Sequence, residues 1–182
     1  MLPPGHIAAG YLVAEVLLKF THPQLTSAEL NQLVCWGMFF GFAPDLDVFW
    51  FMIKNRTLRV VSKDASGKSH RNSFTHVPLF WLVLGLAVYF LGATIYWKYF
   101  GLLIWLGGWS HMILDSIAFG IPWLSPFSNK FYALTETQEA VDLPEKNIFK
   151  YGIHFLKFYS TKATFYLEIV VILSAAIVFF HY

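Results

Sequence analysis

The chain has 182 residues, of which 57% are apolar, 19% aromatic and only 13% charged, where soluble domains average roughly 45–50% apolar and about 25% charged. That balance excludes an ordinary soluble domain and equally a disordered or fibrous chain, and it reads as one integral membrane domain. A net charge of +2 is too small to suggest nucleic acid, and a single cysteine rules out an internal disulfide framework or a multi-cysteine zinc site.

MLPPGHIAAG opens the chain without a positively charged segment or a clear cleavage site, so the N-terminus is expected to be retained. Residues 6–20 form an apolar stretch somewhat short for a crossing, expected to pack inside a bundle or to enter the membrane obliquely. Residues 33–53, 77–97 and 99–119 each approach the roughly 20 apolar residues that a bilayer requires, and 164–180 fall slightly short of it. Backbone in hydrocarbon must satisfy its own hydrogen bonds, so the expected fold is all-α: a polytopic membrane bundle of about five helices. Cys35, inside the second apolar run, reads as a small buried hydrophobe.

The connections carry the charge. Lys54, Arg56, Arg59, Lys63, Lys68 and Arg71 fall in 54–76, and Lys130, Lys146, Lys150, Lys157 and Lys162 in 120–163. If both segments face the cytoplasm, only Lys19 and Lys98 lie outside. This positive-inside bias implies five crossings, with the N-terminus cytoplasmic and the C-terminus outside. KNIFKYGIHFLKFYS (146–160) mixes basic and aromatic residues as an interfacial amphipathic helix does. The whole chain, 1–182, is read as one membrane domain, with a metal-site core at about 5–128, where the motifs below fall, an interfacial segment at about 129–163 and a last span at about 164–180. Gly37, Gly41, Gly101, Gly107 and Gly108 would let helices approach closely.

Charges inside a span cost roughly 2.5–3.5 kcal/mol each on insertion scales, so they usually face the bundle interior and serve a function. Asp45 and Asp47 (PDLD), His111 and Asp115 (HMILD) and Glu168 are such residues; Glu168 has no partner visible in the sequence. His111 and Asp115 are four apart and project from one helix face. They suit two ligands of one metal, or alternatively a mutually neutralising hydrogen bond. Asp45 and Asp47 cannot share a regular helix face, but Pro44 favours a break that could aim both at one place. The plainer alternative is a capped kink.

In HRNSFTH (70–76), Thr75 could cap the following helix, with His76 in its first turn and His70 upstream. With the N-terminus inside, His6, the PDLD aspartates, His70, His76, His111 and Asp115 all fall at the cytoplasmic end of their elements. That agreement points to a metal centre. Imidazole and carboxylate without thiolate suit zinc, with manganese or iron as alternatives. Seven candidate ligands exceed one zinc site, implying a multinuclear centre or residues that position others or carry protons. Asp47 and His76 are expected to take part in catalysis as well, and Arg71 to hold an anionic group of the substrate.

These motifs in this order resemble the YdjM-like family: Gly5-His6, Pro44 to Asp47, His70-Arg71 with Thr75-His76, His111 with Asp115, and the G-x-PWLSPFS segment from Gly120 to Ser128. The resemblance covers roughly residues 5–128. It implies a LexA-binding, inner-membrane-associated, metal-dependent hydrolase, without fixing a substrate. The motif order is also loosely similar to helical zinc-dependent phospholipases C, which favours a phosphoester. HxxxD occurs too in membrane phosphatidic-acid phosphatases, but Trp105 stands where that family needs an arginine and SFTH replaces its PSGH.

The expected function is hydrolysis of a phosphoester or other ester of a lipid-like substrate at the cytoplasmic membrane face. PWLSPFS could be a substrate-facing loop or an aromatic interfacial anchor. A proton- or metal-ion carrier is the alternative, weakened by the lack of an inverted repeat and by polar residues confined to one side. A membrane adaptor with a structural metal site is the third reading. The expected partners are membrane lipids and the substrate; no protein partner is indicated by the residues themselves.

Overall fold

Pro3 and Pro4 preset the backbone for the first turn of α1 (Pro3–Thr21), whose end is closed by His22 in the left-handed region. The computed structural model describes residues 1–56, 70–135 and 147–181, so Arg59, Lys63, Lys68 and Lys146, which the orientation argument counts, lie outside the described residues. A capping box between Thr26 and Glu29 starts α2 (Ser27–Phe42). Pro44 then tightens the chain into a 3-10 turn over Ala43–Leu46, from which α3 (Asp47–Asn55) restarts. The helices α4 (Pro78–Leu91), α5 (Ile95–Asp115), α6 (Ile148–Tyr159) and α7 (Ala163–His181) complete the fold. Among the described residues there is no strand, only one isolated bridge between Ile121 and Tyr132. The all-α expectation holds.

Counting the broken α2–α3 run as one, there are six helical bodies among the described residues. α1 packs on α2, α5 and α7, α2 on α5, and α4 on α5. Glycines set the closest approaches. A Cβ on Gly10 would lie 2.2 Å from the Gly37 carbonyl oxygen, and one on Gly101 2.6 Å from that of Gly85. The small residues read from the sequence at Gly37, Gly41, Gly101, Gly107 and Gly108 all sit at such contacts.

The expected boundaries shift, most clearly between the third and fourth apolar runs. The run 77–97 ends at Leu91, and α5 begins at Ile95 rather than 99, because Gly92 packs against Trp97 in a tight connection, where a Cβ would meet the indole Cβ at 2.6 Å. Cys35 is exposed on the outer face of α2, not buried; an apolar run in a membrane helix faces outward as readily as inward.

Among the described residues, two helical runs are long and apolar enough to cross a bilayer by composition alone, Ser27–Lys54 and Ala163–His181. α4 is apolar but has 14 residues, and α1 and α5, with 19 and 21, are less uniformly apolar. Tyr166, Val170, Leu173, Ile177 and Phe180 form an exposed apolar stripe along α7. In water such a stripe would be a liability; against lipid it is ordinary.

Candidate metal centre

Helix ends build the site. The first turn of α1 supplies His6, the 3-10 turn after α2 supplies Asp45, and the first residue of α3 is Asp47. Two further 3-10 turns, His70–Asn72 and Phe74–His76, bring His70 and His76, and the last turns of α5 bring His111 and Asp115. Their side chains are almost entirely buried: His6, His76, His111 and Asp115 at 0% exposure, His70 at 5% and Asp45 at 9%.

Six of the seven predicted ligands fall into two triads, His6–His111–Asp115 and Asp45–His70–His76, in each of which one donor atom per residue lies within 4.8 Å of the others. The triads adjoin. His111 Nε2 stands 3.5 Å from Asp45 Oδ1, which is itself 3.6 Å from His76 Nε2. His6 Nε2 is 3.3 Å from Asp115 Oδ1 and stacks its ring on His111 at 3.7 Å.

These separations mostly exceed hydrogen-bonding distance. His6 Nδ1 and Nε2, Asp45 Oδ1, Asp47 Oδ1, His70 Nδ1, His76 Nε2 and His111 Nε2 are all buried without a hydrogen-bond partner among the described residues. Each unsatisfied buried polar group costs about 1–3 kcal/mol, so this concentration calls for compensation. Two donors each about 2.1 Å from a tetrahedral ion stand about 3.4 Å apart. Within the triads, the His6–Asp115 and His76–Asp45 gaps of 3.3 and 3.6 Å match that spacing, and His111–Asp115 is wider at 3.9 Å. The residues fit a metal ion.

Neighbours aim the donors. His111 Nδ1 lies 3.0 Å from the Gly41 carbonyl, which can only accept, so Nδ1 carries the proton and Nε2 turns its lone pair inward. Asp47, outside both triads, faces His76 Nδ1 at 3.1 Å and receives the Thr75 hydroxyl at 2.6 Å. Thr75 therefore does not cap α4, and His76 is not in its first turn. Val77 is extended and Pro78 begins the helix, as the restriction on a residue before proline requires. Nor does Asp45 or Asp47 cap the kink.

Burial, reinforced by the Arg71 charge, pushes the His70 imidazole down to about 4, leaving it neutral and able to ligate. Burial acts the same way on His76, but the Asp45 and Asp47 carboxylates outweigh it and raise that imidazole above its usual value.

The family model described as YdjM inner membrane protein matches residues 1–182. The chain belongs to the YdjM inner membrane protein family. The match extends past the 5–128 core carrying the sequence motifs and takes in α6 and α7. Comparison with curated proteins and with solved structures gave no match.

The GH, PDLD, HRNSFTH and HMILD segments of this chain thus meet in one buried cluster. Glu168, unassigned by sequence, proves structural to it. Its carboxylate accepts from the Gly5 N–H at 3.1 Å and the Leu2 N–H at 3.3 Å, at the start of α1, and from the Tyr159 hydroxyl. A negative group there complements the helix dipole. Gly5 is needed because a Cβ would sit 2.7 Å from Glu168 Cγ. The signal was available: Glu168 was the one intramembrane acid left without a role.

Beside the triads lies a cavity of about 470 Å³, whose wall includes Asp45, His70 and Arg71. Arg71 donates through Nε to Asp115 Oδ2 at 2.8 Å, and its guanidinium lies 4.1 Å over the Phe119 ring. PWLSPFS does not line this cavity. Its Trp123 indole N–H donates to Ser116 Oγ and its ring packs edge-on against Trp109, while Phe127 points outward. The anchor reading of that segment fits better than the substrate loop.

Proposed function

We propose that the chain is a membrane-bound metal-dependent hydrolase, acting at the cytoplasmic face on a phosphoester or other ester of an amphipathic substrate. One observation carries the reading: a cluster of buried imidazole and carboxylate donors, most of them without a hydrogen-bond partner, adjoins a largely apolar cavity whose wall includes Asp45 and His70. His6, His111 and Asp115 would hold one ion, and Asp45, His70 and His76 a second, with zinc the best match to the donor set and manganese or iron next. A bound divalent ion supplies Lewis acidity and eases deprotonation of water.

The remaining work falls to the protein's own groups. Asp47 and the Gly41 carbonyl fix the imidazole orientations. His76, its Nδ1 held by Asp47, presents Nε2 to Asp45 on the side where the second ion would lie. Arg71 supplies fixed positive charge at the cavity wall for an anionic substrate group. The apolar walls exclude water, which strengthens each of these electrostatic effects.

The test is elemental analysis of purified protein alongside a screen of phosphoester and carboxylic-ester substrates. The expected result is bound transition metal, hydrolysis abolished by chelation and restored by metal, and loss of both metal and turnover in His111→Ala. Turnover that survives complete metal removal would overturn the proposal.

A further inference from the structure

The cavity divides sharply by chemistry. Its charged and imidazole lining residues are Asp45, His70 and Arg71, beside the metal triads. Away from these the wall is hydrocarbon and aromatic: Phe42 at the bend after α2, Val48, Phe49 and Met52 on α3, and Phe155 on α6. At about 470 Å³ it lies in the lower half of the roughly 300–1,000 Å³ typical of small-ligand sites. One flexible chain fits such a volume better than two.

The roof is α6. Tyr151, Phe155 and Tyr159 recur every fourth residue, stack at 6.4 and 5.9 Å and face the cavity, while Lys150 and Lys157 on the same helix are exposed. Tyr159 is tied to Glu168, so the roof is fastened to the helix that also secures the start of α1. Gly152, also in the roof, lines the cavity, and a Cβ placed there meets nothing within 4 Å. The space under α6 is open at that point.

We propose that the space beneath α6 binds the hydrocarbon chain of a single-chain anionic amphiphile, its head group lying against Arg71 and the metal triads. This rests on the hydrolase reading only for the fate of the head group; the chain site stands on the cavity itself. Burying each added methylene tightens binding by at most roughly fourfold, so affinity should climb steeply with chain length until the cavity is full. An inorganic anion would gain none of this.

The full-length protein in phosphatidylcholine nanodiscs is photolabelled with a decyl phosphate carrying a diazirine near the chain terminus, and adducts are mapped by mass spectrometry. Labels are expected on α3 and α6, displaced by dodecyl phosphate and not by butyl phosphate, inorganic phosphate or diacyl phosphatidic acid. Gly152→Phe, which fills the open space, should reduce labelling at least tenfold while metal content stays at the wild-type value. Gly152→Ala, also favourable in a helix, should label nearly normally.

Equal labelling of Gly152→Phe, or displacement by inorganic phosphate as effective as by dodecyl phosphate, would overturn the chain site. Equal displacement by the diacyl lipid would overturn its single-chain character. Labelling needs no turnover, so a chain site confirmed in a protein that hydrolyses nothing would reject the hydrolase reading alone.

Discussion

Asp47 illustrates how roles divide within a cluster of like residues. It belongs to neither triad, yet it faces His76 Nδ1 and lies 3.5 Å from His70 Nδ1, and Thr75 holds its other contact. Removing such an orienting contact typically weakens metal affinity about 10–100-fold. Thr75→Val, close in shape but unable to donate, should show a loss of that size in competition with a chromophoric chelator, with an unchanged circular dichroism spectrum. Asp45→Asn should do worse. Its Oδ1 adjoins donors of both triads, so at least one equivalent of metal should disappear from elemental analysis. The residue types and their convergence at helix ends were legible in the sequence, because charge inside an apolar run is rare enough to stand out. Thr75 was misassigned because capping is a local rule, and here Pro78 sets where the helix starts.

At the scale of helices, the site depends on backbones in contact. A Cβ on Gly41 would fall 2.5 Å from the His6 carbonyl oxygen and 2.9 Å from Gly10 Cα, and the Gly41 carbonyl holds His111. Neither neighbour is a movable side-chain tip. Gly41→Ala should therefore part α1 from α2, costing about 1–3 kcal/mol as overpacking does. Thermal unfolding in detergent should shift down and metal content fall while helicity is retained. Small residues marked this interface in the sequence. The break at Pro44 was also readable, and so was an amphipathic α6. That α6 roofs a cavity was not, since its inward face is defined by α1 and α3, more than ninety residues away in the chain, rather than by any local pattern.

At the scale of the whole molecule, the ends of the helices converge on one place. The start of α1, the bend after α2, the turns before α4, the end of α5 and the start of α7 all meet at the metal cluster or at Glu168 beside it. Neighbouring helices that meet at one end in this alternation run antiparallel, as five crossings would. α5 is the decisive case. Its 21 residues span about 31 Å, close to the roughly 30 Å of hydrocarbon, yet Lys98, His111 and Asp115 dilute its apolar character. Composition penalises those residues, but His111 and Asp115 are buried inside the bundle and never meet lipid. A cysteine pair separates the possibilities, in a Cys35→Ser background. Thr94→Cys lies in the exposed connection before α5 and Phe127→Cys in the exposed loop after it. If the basic segments are cytoplasmic, a membrane-impermeant maleimide should label Thr94→Cys in intact spheroplasts and Phe127→Cys only after permeabilisation. The reverse pattern would place the metal cluster outside, and labelling of both from one side would mean that α5 does not cross.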